Sequence, residues 1–292
     1  MIRKTIPIKL KEGQICWIAP FNDVHYNTEE CDKFRFRRYV KWGAEKIVKG
    51  DRLVGIGLGD YDDSISPSER ASVVSAKGGY GYHDTTLKQM DAAAKNFTDT
   101  FAAVLHPWKG NIAGLLEGHH FMVFSALAKD GLRSLTTTEY LCKLMDTDYL
   151  GKLAHITLDF GHGLYLKILA THGYGGARTP GARVTKRVRM SEVTRAHLYL
   201  MGHDNEKLAK SQNILDIVDG RYVAVPQVYC GTGSFQRSYP IDSSVGGYVE
   251  ELLLPPSDLG PVVTEVELEK RNGRWRLECR TSLQWSLEGN QT

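Results

Sequence analysis

Residues 15–27 read ICWIAPFNDVHYN. An apolar run of the kind that forms a strand, Ile15 to Phe21, stops just short of Asp23 and His25. On extended backbone, residues two apart point to the same side, so this carboxylate and this imidazole can reach one object at a strand's end. A D-x-H triplet alone is a common pattern, and its weight depends on what else the chain places at the ends of its strands.

The arrangement recurs. DRLVGIGLGD (51–60) is a second apolar run and ends on Asp60, and GNIAGLLEGHH (110–120) is a third and ends on His119 and His120. HITLDFG (155–161) and LYLKILATHG (164–173) have the shape of a hairpin pair leading to His172, and AHLYLMGHDN (196–205) carries His203. Helical patterns lie between these runs: TEECDKFRFRRYVKWGAEKIV (28–48), with Thr28 as N-cap and acids in the first turn, TTLKQMDAAAKNFTDTFAAVL (85–105) and TTTEYLCKLM (136–145). The last part turns strand-like, in RYVAVPQVYCG (221–231), GYVEELLLP (247–255), PVVTEVELEK (261–270) and RWRLECRTSLQW (274–285). With no repeat or linker to divide it, the chain reads as one α/β domain over 1–292.

Composition narrows the class. The 292 residues are 42% hydrophobic and 24% charged with a formal charge of +3, which describes a globular protein and is too mild a charge to announce a nucleic-acid binder. The start, MIRKTIPIKLKEGQ, has no apolar leader core and no long uncharged apolar run follows, so an intracellular, cytoplasmic protein with no membrane span is expected. Five dispersed cysteines with no C-x-x-C pair argue against a disulfide framework or a thiolate zinc site. GIGLGD (55–60) lacks the third glycine of a dinucleotide turn, and HGYGGARTPG (172–181) lacks the G-K-S/T ending of a P-loop.

What remains is a set of acids and histidines, each ending an apolar run. In a layered α/β fold such ends converge on one edge of a sheet. Asp23 and Asp60 brought within about 4 Å would repel by roughly 4 kcal/mol at an effective dielectric of 20. Neutral imidazoles do not offset that, and divalent metal does. Carboxylate plus imidazole without thiolate suits Mn, Zn, Fe, Ni or Co, and some six ligands are too many for one tetrahedral ion. Two ions sharing a carboxylate fit this inventory.

At this point the chain resembles the calcineurin-like metallophosphoesterases, whose pattern is D-x-H, GD-x-x-D, GNH followed by an acid, a histidine after a strand, and GH-x-H. These stand here as Asp23/His25, Gly59/Asp60/Asp63, Gly118/His119/His120, His172 and Gly202/His203/Asn205. The resemblance covers about residues 15–235 and implies a four-layer α-β-β-α sandwich of two mixed β-sheets flanked by helices, which the strand-rich C-terminal part completes. It implies two divalent ions, manganese first among the candidates: Asp23, His25 and Asn205 on one, His119, His172 and His203 on the other, Asp60 bridging. It further implies hydrolysis by a hydroxide shared between the ions, His120 as general acid at the leaving group, and Asp63 orienting from behind. In two places the chain departs from the pattern, with His119 where the family has asparagine and Asn205 where it has histidine; these read together as a swap between the two ions.

The substrate is read from charge. After His172 come Arg178, Arg183, Lys186, Arg187 and Arg189, with no acid until Glu192. The stretch is either the solvated face of a helix or a phosphate-backbone contact, and SAKGGYGYHD (75–84), with Lys77, Tyr80 and Tyr82, is either an ordinary loop or a stacking surface. The expectation is a phosphodiesterase or nuclease acting on DNA, RNA or nucleotides. The competing readings are a non-catalytic binding module with the same fold and a phosphomonoesterase or phosphoprotein phosphatase.

Overall fold

The computed structural model describes residues 1–11, 13–66, 69–72, 83–124, 134–177, 179–218, 220–239, 253 and 255–283. The strands are β1 (Ile2–Pro7), β2 (Ile15–Phe21), β3 (Arg52–Gly57), β4 (Ile112–Leu115), β5 (Leu153–Asp159), β6 (Tyr165–Thr171), β7 (Leu198–Met201), β8 (Lys207–Val218), β9 (Arg221–Ser234), β10 (Gly260–Arg271) and β11 (Arg274–Leu283). The helices are α1 (Lys33–Val48), α2 (Asp84–Leu105), α3 (Thr137–Met145), α4 (Pro180–Val188) and the short α5 (Met190–Val193). No described helix is long and apolar enough to cross a membrane.

The strands form one large mixed sheet in the order β1-β5-β6-β7-β9-β10-β2-β3-β4, with β8 added on β9 and β11 on β10. β9 and β10 are joined by only two residue pairs, Ser234–Gly260 and Gly233–Pro261, so the sheet has two limbs with a narrow hinge of hydrogen bonds. Side-chain alternation shows how the limbs meet. In β2, Cys16 and Ile18 enter the central apolar cluster, whereas Trp17, Ala19 and Phe21 turn to the opposite face. The same central cluster takes Ile156 and Leu158 of β5, Ile168 and Ala170 of β6, and Leu198 and Leu200 of β7. One core therefore serves both limbs.

Helices cover the outer faces. In α1 the buried Phe36, Tyr39, Val40 and Gly43 recur at helical spacing and pack with Phe101 and Leu105 of α2 and Leu141 of α3 against Phe21 and Leu53. On the other limb Met190 packs with Leu169, Tyr199 and Tyr229. The cap of α1 corrects the sequence reading. Asp32, not Thr28, accepts the backbone N–H of Arg35, and no acid lies in the first turn, because Glu29 and Glu30 precede the helix. α3 starts at a capping box in which Thr136 and Glu139 satisfy each other's backbone N–H groups, a device worth about 1 kcal/mol. His83, which fits no site motif, caps α2 through Thr85 N–H.

Strand readings at 261–270 and 274–285 correspond to β10 and β11, while 247–252 and 254 lie outside the described residues. β1 and β8 were not foreseen. β1 is an edge strand, paired in parallel with β5 and largely exposed. β8 likewise pairs only with β9.

Candidate metal centre

β2, β3 and β4 run parallel to one another, as do β6 and β7, so the loops after β2, β3, β4, β6 and β7 can meet. They meet across the limbs: Asp23 Oδ2 accepts the backbone N–H of His203 at 2.9 Å and a bond from Asn22 Nδ2, and Asn22 Nδ2 also donates to Gly233 O. The turns are strained. Asp23, His25, Asp60, His203 and Asn205 have φ of 45°, 45°, 53°, 67° and 52°, five of the ten non-glycine residues with positive φ among the described residues. Such conformations cost of order 1–3 kcal/mol each and cluster where function requires them.

The glycine before Asp60 has a direct reason. Gly59 has φ 109°, and a Cβ there would stand 2.5 Å from Gly118 Cα and 2.9 Å from His172 Nδ1. Only with glycine at 59 do the β3 and β4 loops close on each other. Asp60 Oδ1 then accepts the backbone N–H groups of His119 (2.6 Å) and His120 (2.9 Å). Its other oxygen lies 3.1 Å from His172 Nε2 and 3.9 Å from His25 Nε2.

Donor atoms of Asp60, His119, His172 and His203 all lie within 4.8 Å of one another, and so do those of Asp23, His25 and Asp60. The rings of His119, His172 and His203 stand edge to face with centroids 4.6 to 5.2 Å apart. His172 Nδ1 is 2.9 Å from Leu58 O, a contact that fixes the proton on Nδ1 and turns the Nε2 lone pair to the cluster. His25 Nδ1 and Asn205 Oδ1 are buried with no hydrogen-bond partner. Buried polar atoms are rarely left so, and a bound ion is one of the few explanations. The donor set, nitrogen and oxygen without thiolate, fits divalent metal.

Electrostatics point the same way. Burial pulls the His172 pKa down, but the Asp60 carboxylate outweighs it and raises the group to about 9. Burial pushes Asp60 up, and His172 together with His25 outweighs that and holds it well below the usual range. His25 is raised, since Asp63, Asp60 and Asp23 overcome its burial. Burial and the neighbouring His172 and His203 bring His119 down to about 4, and burial lowers His203. His119 and His203 are therefore neutral, with lone pairs available, near neutral pH.

His120 and Asp63 stand at one side and make, with His25, a third group whose donor atoms lie within 4.8 Å of one another. Their Nδ1 and Oδ1 are 2.7 Å apart, the His120 ring stands edge to face with His25 at 4.8 Å, and Asp63 Oδ2 is 3.6 Å from His25 Nδ1, too long for a hydrogen bond. The His120 and His25 rings overcome burial to hold the Asp63 carboxyl far below its ordinary range. Three contacts escaped the sequence reading. Besides Asn22, Arg70 donates to His119 O at 2.5 and 3.2 Å and covers the Phe121 ring at 3.8 Å. Glu117 is buried beside them with Oε1 unpartnered. Asn22, adjacent to Asp23, and Glu117, adjacent to Gly118, stand near enough in sequence to have been suspected, and Arg70 does not.

The basic stretch is arranged differently from the expectation of free phosphate contacts. Arg187 is fully buried, with Nη1 3.0 Å from Glu206 Oε2 and Nη2 3.5 Å from Asp204 Oδ2. Lys186 Nζ lies 2.5 Å from Asp204 Oδ1, and Arg183 Nη1 3.8 Å from Glu206 Oε1. The acids missing from the local sequence arrive in space, and Arg187 has no surface to offer a phosphate. Arg189 is exposed, while Arg178, Lys77, Tyr80 and Tyr82 lie outside the described residues.

No known protein family matches the sequence, and no curated protein matches it. Among solved structures the chain is similar to Vps29 from Entamoeba histolytica, at 11% identity and a TM-score of 0.34, covering 91% of this chain and 99% of that one. It is similar to Vacuolar Protein Sorting 29 from Cryptosporidium parvum, at 12% identity and a TM-score of 0.33, covering 93% and 100%. It is also similar to a predicted phosphoesterase from Streptococcus pneumoniae, at 11% identity and a TM-score of 0.31, covering 91% and 98%. At such scores the weight stays on the site itself.

Proposed function

We propose that the chain is a two-metal phosphoesterase of the calcineurin-like kind, with its two limbs as the two sheets of a four-layer α-β-β-α sandwich. The observation that carries this is Asp60, whose carboxylate belongs both to the group with Asp23 and His25 and to the group with His119, His172 and His203. Asp23, His25 and Asn205 would hold one ion, His119, His172 and His203 the other, and Asp60 both, with manganese the first candidate. Divalent ions bound there would supply Lewis acidity toward a phosphoryl oxygen and make an attacking water acidic near neutral pH.

The chain's own residues do the rest. Asn22 and the His203 N–H orient Asp23, and Leu58 O orients His172. His120, its Nδ1 held by Asp63, keeps Nε2 for a proton to the leaving-group oxygen. Closure of the β3 and β4 loops at Gly59 and Gly118 keeps the Asp60 carboxylate and the His172 imidazole out of bulk water, so that their charges act more strongly.

The substrate we propose is a phosphodiester of nucleic acid or nucleotides, in an intracellular setting, with the exposed Arg189 as the described cation of the basic stretch left to serve it. Turnover of bis-p-nitrophenyl phosphate on adding Mn2+ to metal-free protein tests this. Preference for p-nitrophenyl phosphate would shift the reading to a monoesterase. Metal binding without turnover of either would make the chain a binding module, the reading to which the exchanged residues at 119 and 205 give some support.

A further inference from the structure

The turn 203–206, His-Asp-Asn-Glu, divides its side chains. His203 joins the cluster with Asp60, His119 and His172, and Asn205 Oδ1 is buried without a partner. Asp204 and Glu206, the intervening residues, are bound instead by cations from α4. His203 and Asn205 both have left-handed backbone, an uncommon conformation that histidine and asparagine tolerate better than most residues and that two such residues so close together hold only with support from their surroundings.

What grips it is Arg187. Its guanidinium is fully buried and paired with both acids, and Nη1 also donates to Arg183 O at 3.1 Å. The head lies against Gly231, where a Cβ would stand 2.6 Å from Nη2. Gly231 pairs in register with Met201 of β7 and with Leu208 of β8, the strands entering and leaving the turn. The cation therefore sits at the root of the turn, between its two ends. Lys186 adds a second hold on Asp204, with its side chain 9% exposed, and also donates to Tyr174 O, two residues past His172.

We propose that Arg187, supported by Lys186 and Arg183, is a positioning residue that holds the 203–206 turn in its strained form and thereby sets the affinity of the centre for divalent metal. The basic stretch on α4 is on this account a clamp on the metal loop. The proposal rests on the metal-centre reading above. Groups behind a metal ligand change affinity by about 10- to 100-fold when removed.

The test is Mn2+ titration by calorimetry, with thermal unfolding of the metal-free proteins measured alongside. The variants are Arg187→Lys, Arg187→Met and the triple Arg187→Met/Asp204→Asn/Glu206→Gln. Arg187→Met leaves Asp204 to Lys186 and Glu206 to the more distant Arg183, and should lose stability as well as affinity. The triple variant removes the buried guanidinium and both carboxylate charges together and leaves Lys186 with Tyr174 O as its remaining partner, so its unfolding temperature should recover part of the way toward wild type while Mn2+ binding stays about 10- to 100-fold weaker. Arg187→Lys, which keeps the charge without the fork, should fall between. If Arg187→Met fails to fold, the triple and lysine variants decide. Triple-variant binding within about twofold of wild type would reduce the network to a structural role and overturn the proposal. Absence of Mn2+ binding by the wild type would instead overturn the metal-centre reading, with the variants' unfolding data unaffected.

Discussion

Asp60 and His172 meet at 3.1 Å, each with its side chain 3% exposed, and each is tied from behind: Asp60 to the backbone of His119 and His120, His172 to Leu58 O. Asp60 is also the residue common to both donor groups. Asp60→Asn should therefore be the most damaging ligand substitution. The amide can still accept from the two N–H groups, so the loops should stay closed while metal content drops from about two ions per chain. Elemental analysis after dialysis checks this, and a variant that keeps both ions would remove Asp60 from the bridging position.

The same pair sets a pH dependence in the metal-free protein. The folded-state pKa of His172 is raised to about 9, so its protonated form stabilises the fold below the unfolded value, and that contribution is lost as pH rises through about 9. Asp60 is held low, so its contribution is present above the unfolded carboxylate value and lost in acid. Denaturant unfolding in the presence of chelator should show stability declining on the alkaline side between roughly pH 6.5 and 9. His172→Gln should flatten that decline.

His120→Ala should leave metal content intact and cut turnover by roughly 10² to 10⁴, the range of lost general-acid catalysis. The side chain pairs with Asp63 and belongs to neither group that contains Asp60. The cut should be smaller on a nitrophenyl ester, whose leaving group hardly needs a proton, than on an alkyl ester. Equal losses on both would refute the acid role.

The site was legible in the sequence to the extent that its residues terminate apolar runs. Asp23, Asp60, His119, His172 and His203 each follow a strand, and strand position is recorded locally by hydrophobic pattern. Partnerships across the chain leave no such trace. Arg187 meets Asp204 and Glu206 from a different element, 17 and 19 residues away, so a run of cations looked unneutralised. The same holds in miniature at α1, where Thr28 reads as the cap and Asp32 is the cap instead, its own backbone N–H bound to Phe235 O some two hundred residues away.

Asn205→His restores the histidine of the family pattern at a position with φ 52°, which asparagine and histidine both tolerate better than most residues. Asn205 Oδ1 is buried and unpartnered, and an amide oxygen is a poorer donor than imidazole. Mn2+ affinity should rise or hold. A clear fall in calorimetric affinity would show that Asn205 is not a ligand.

Substrate class turns on Arg189. Four free cations at 183, 186, 187 and 189 would have predicted a salt dependence steeper by roughly three units of log K per log salt, at about 0.7 to 0.9 for each phosphate contact. Arg187 is buried, and Lys186 and Arg183 are paired with Asp204 and Glu206, which leaves Arg189 as the exposed member of the four. Arg189→Ala should then flatten the slope for a single-stranded oligonucleotide by about 0.7. Hydrolysis of a small chromogenic diester, which carries no further phosphates to contact Arg189, should be untouched. Adding Arg178→Ala should flatten the slope by about another 0.7 if that residue lies along the same strand. If neither substitution moves the slope, no cation of this stretch meets a phosphate backbone, and the natural substrate is a nucleotide or another small phosphoester held at the centre itself.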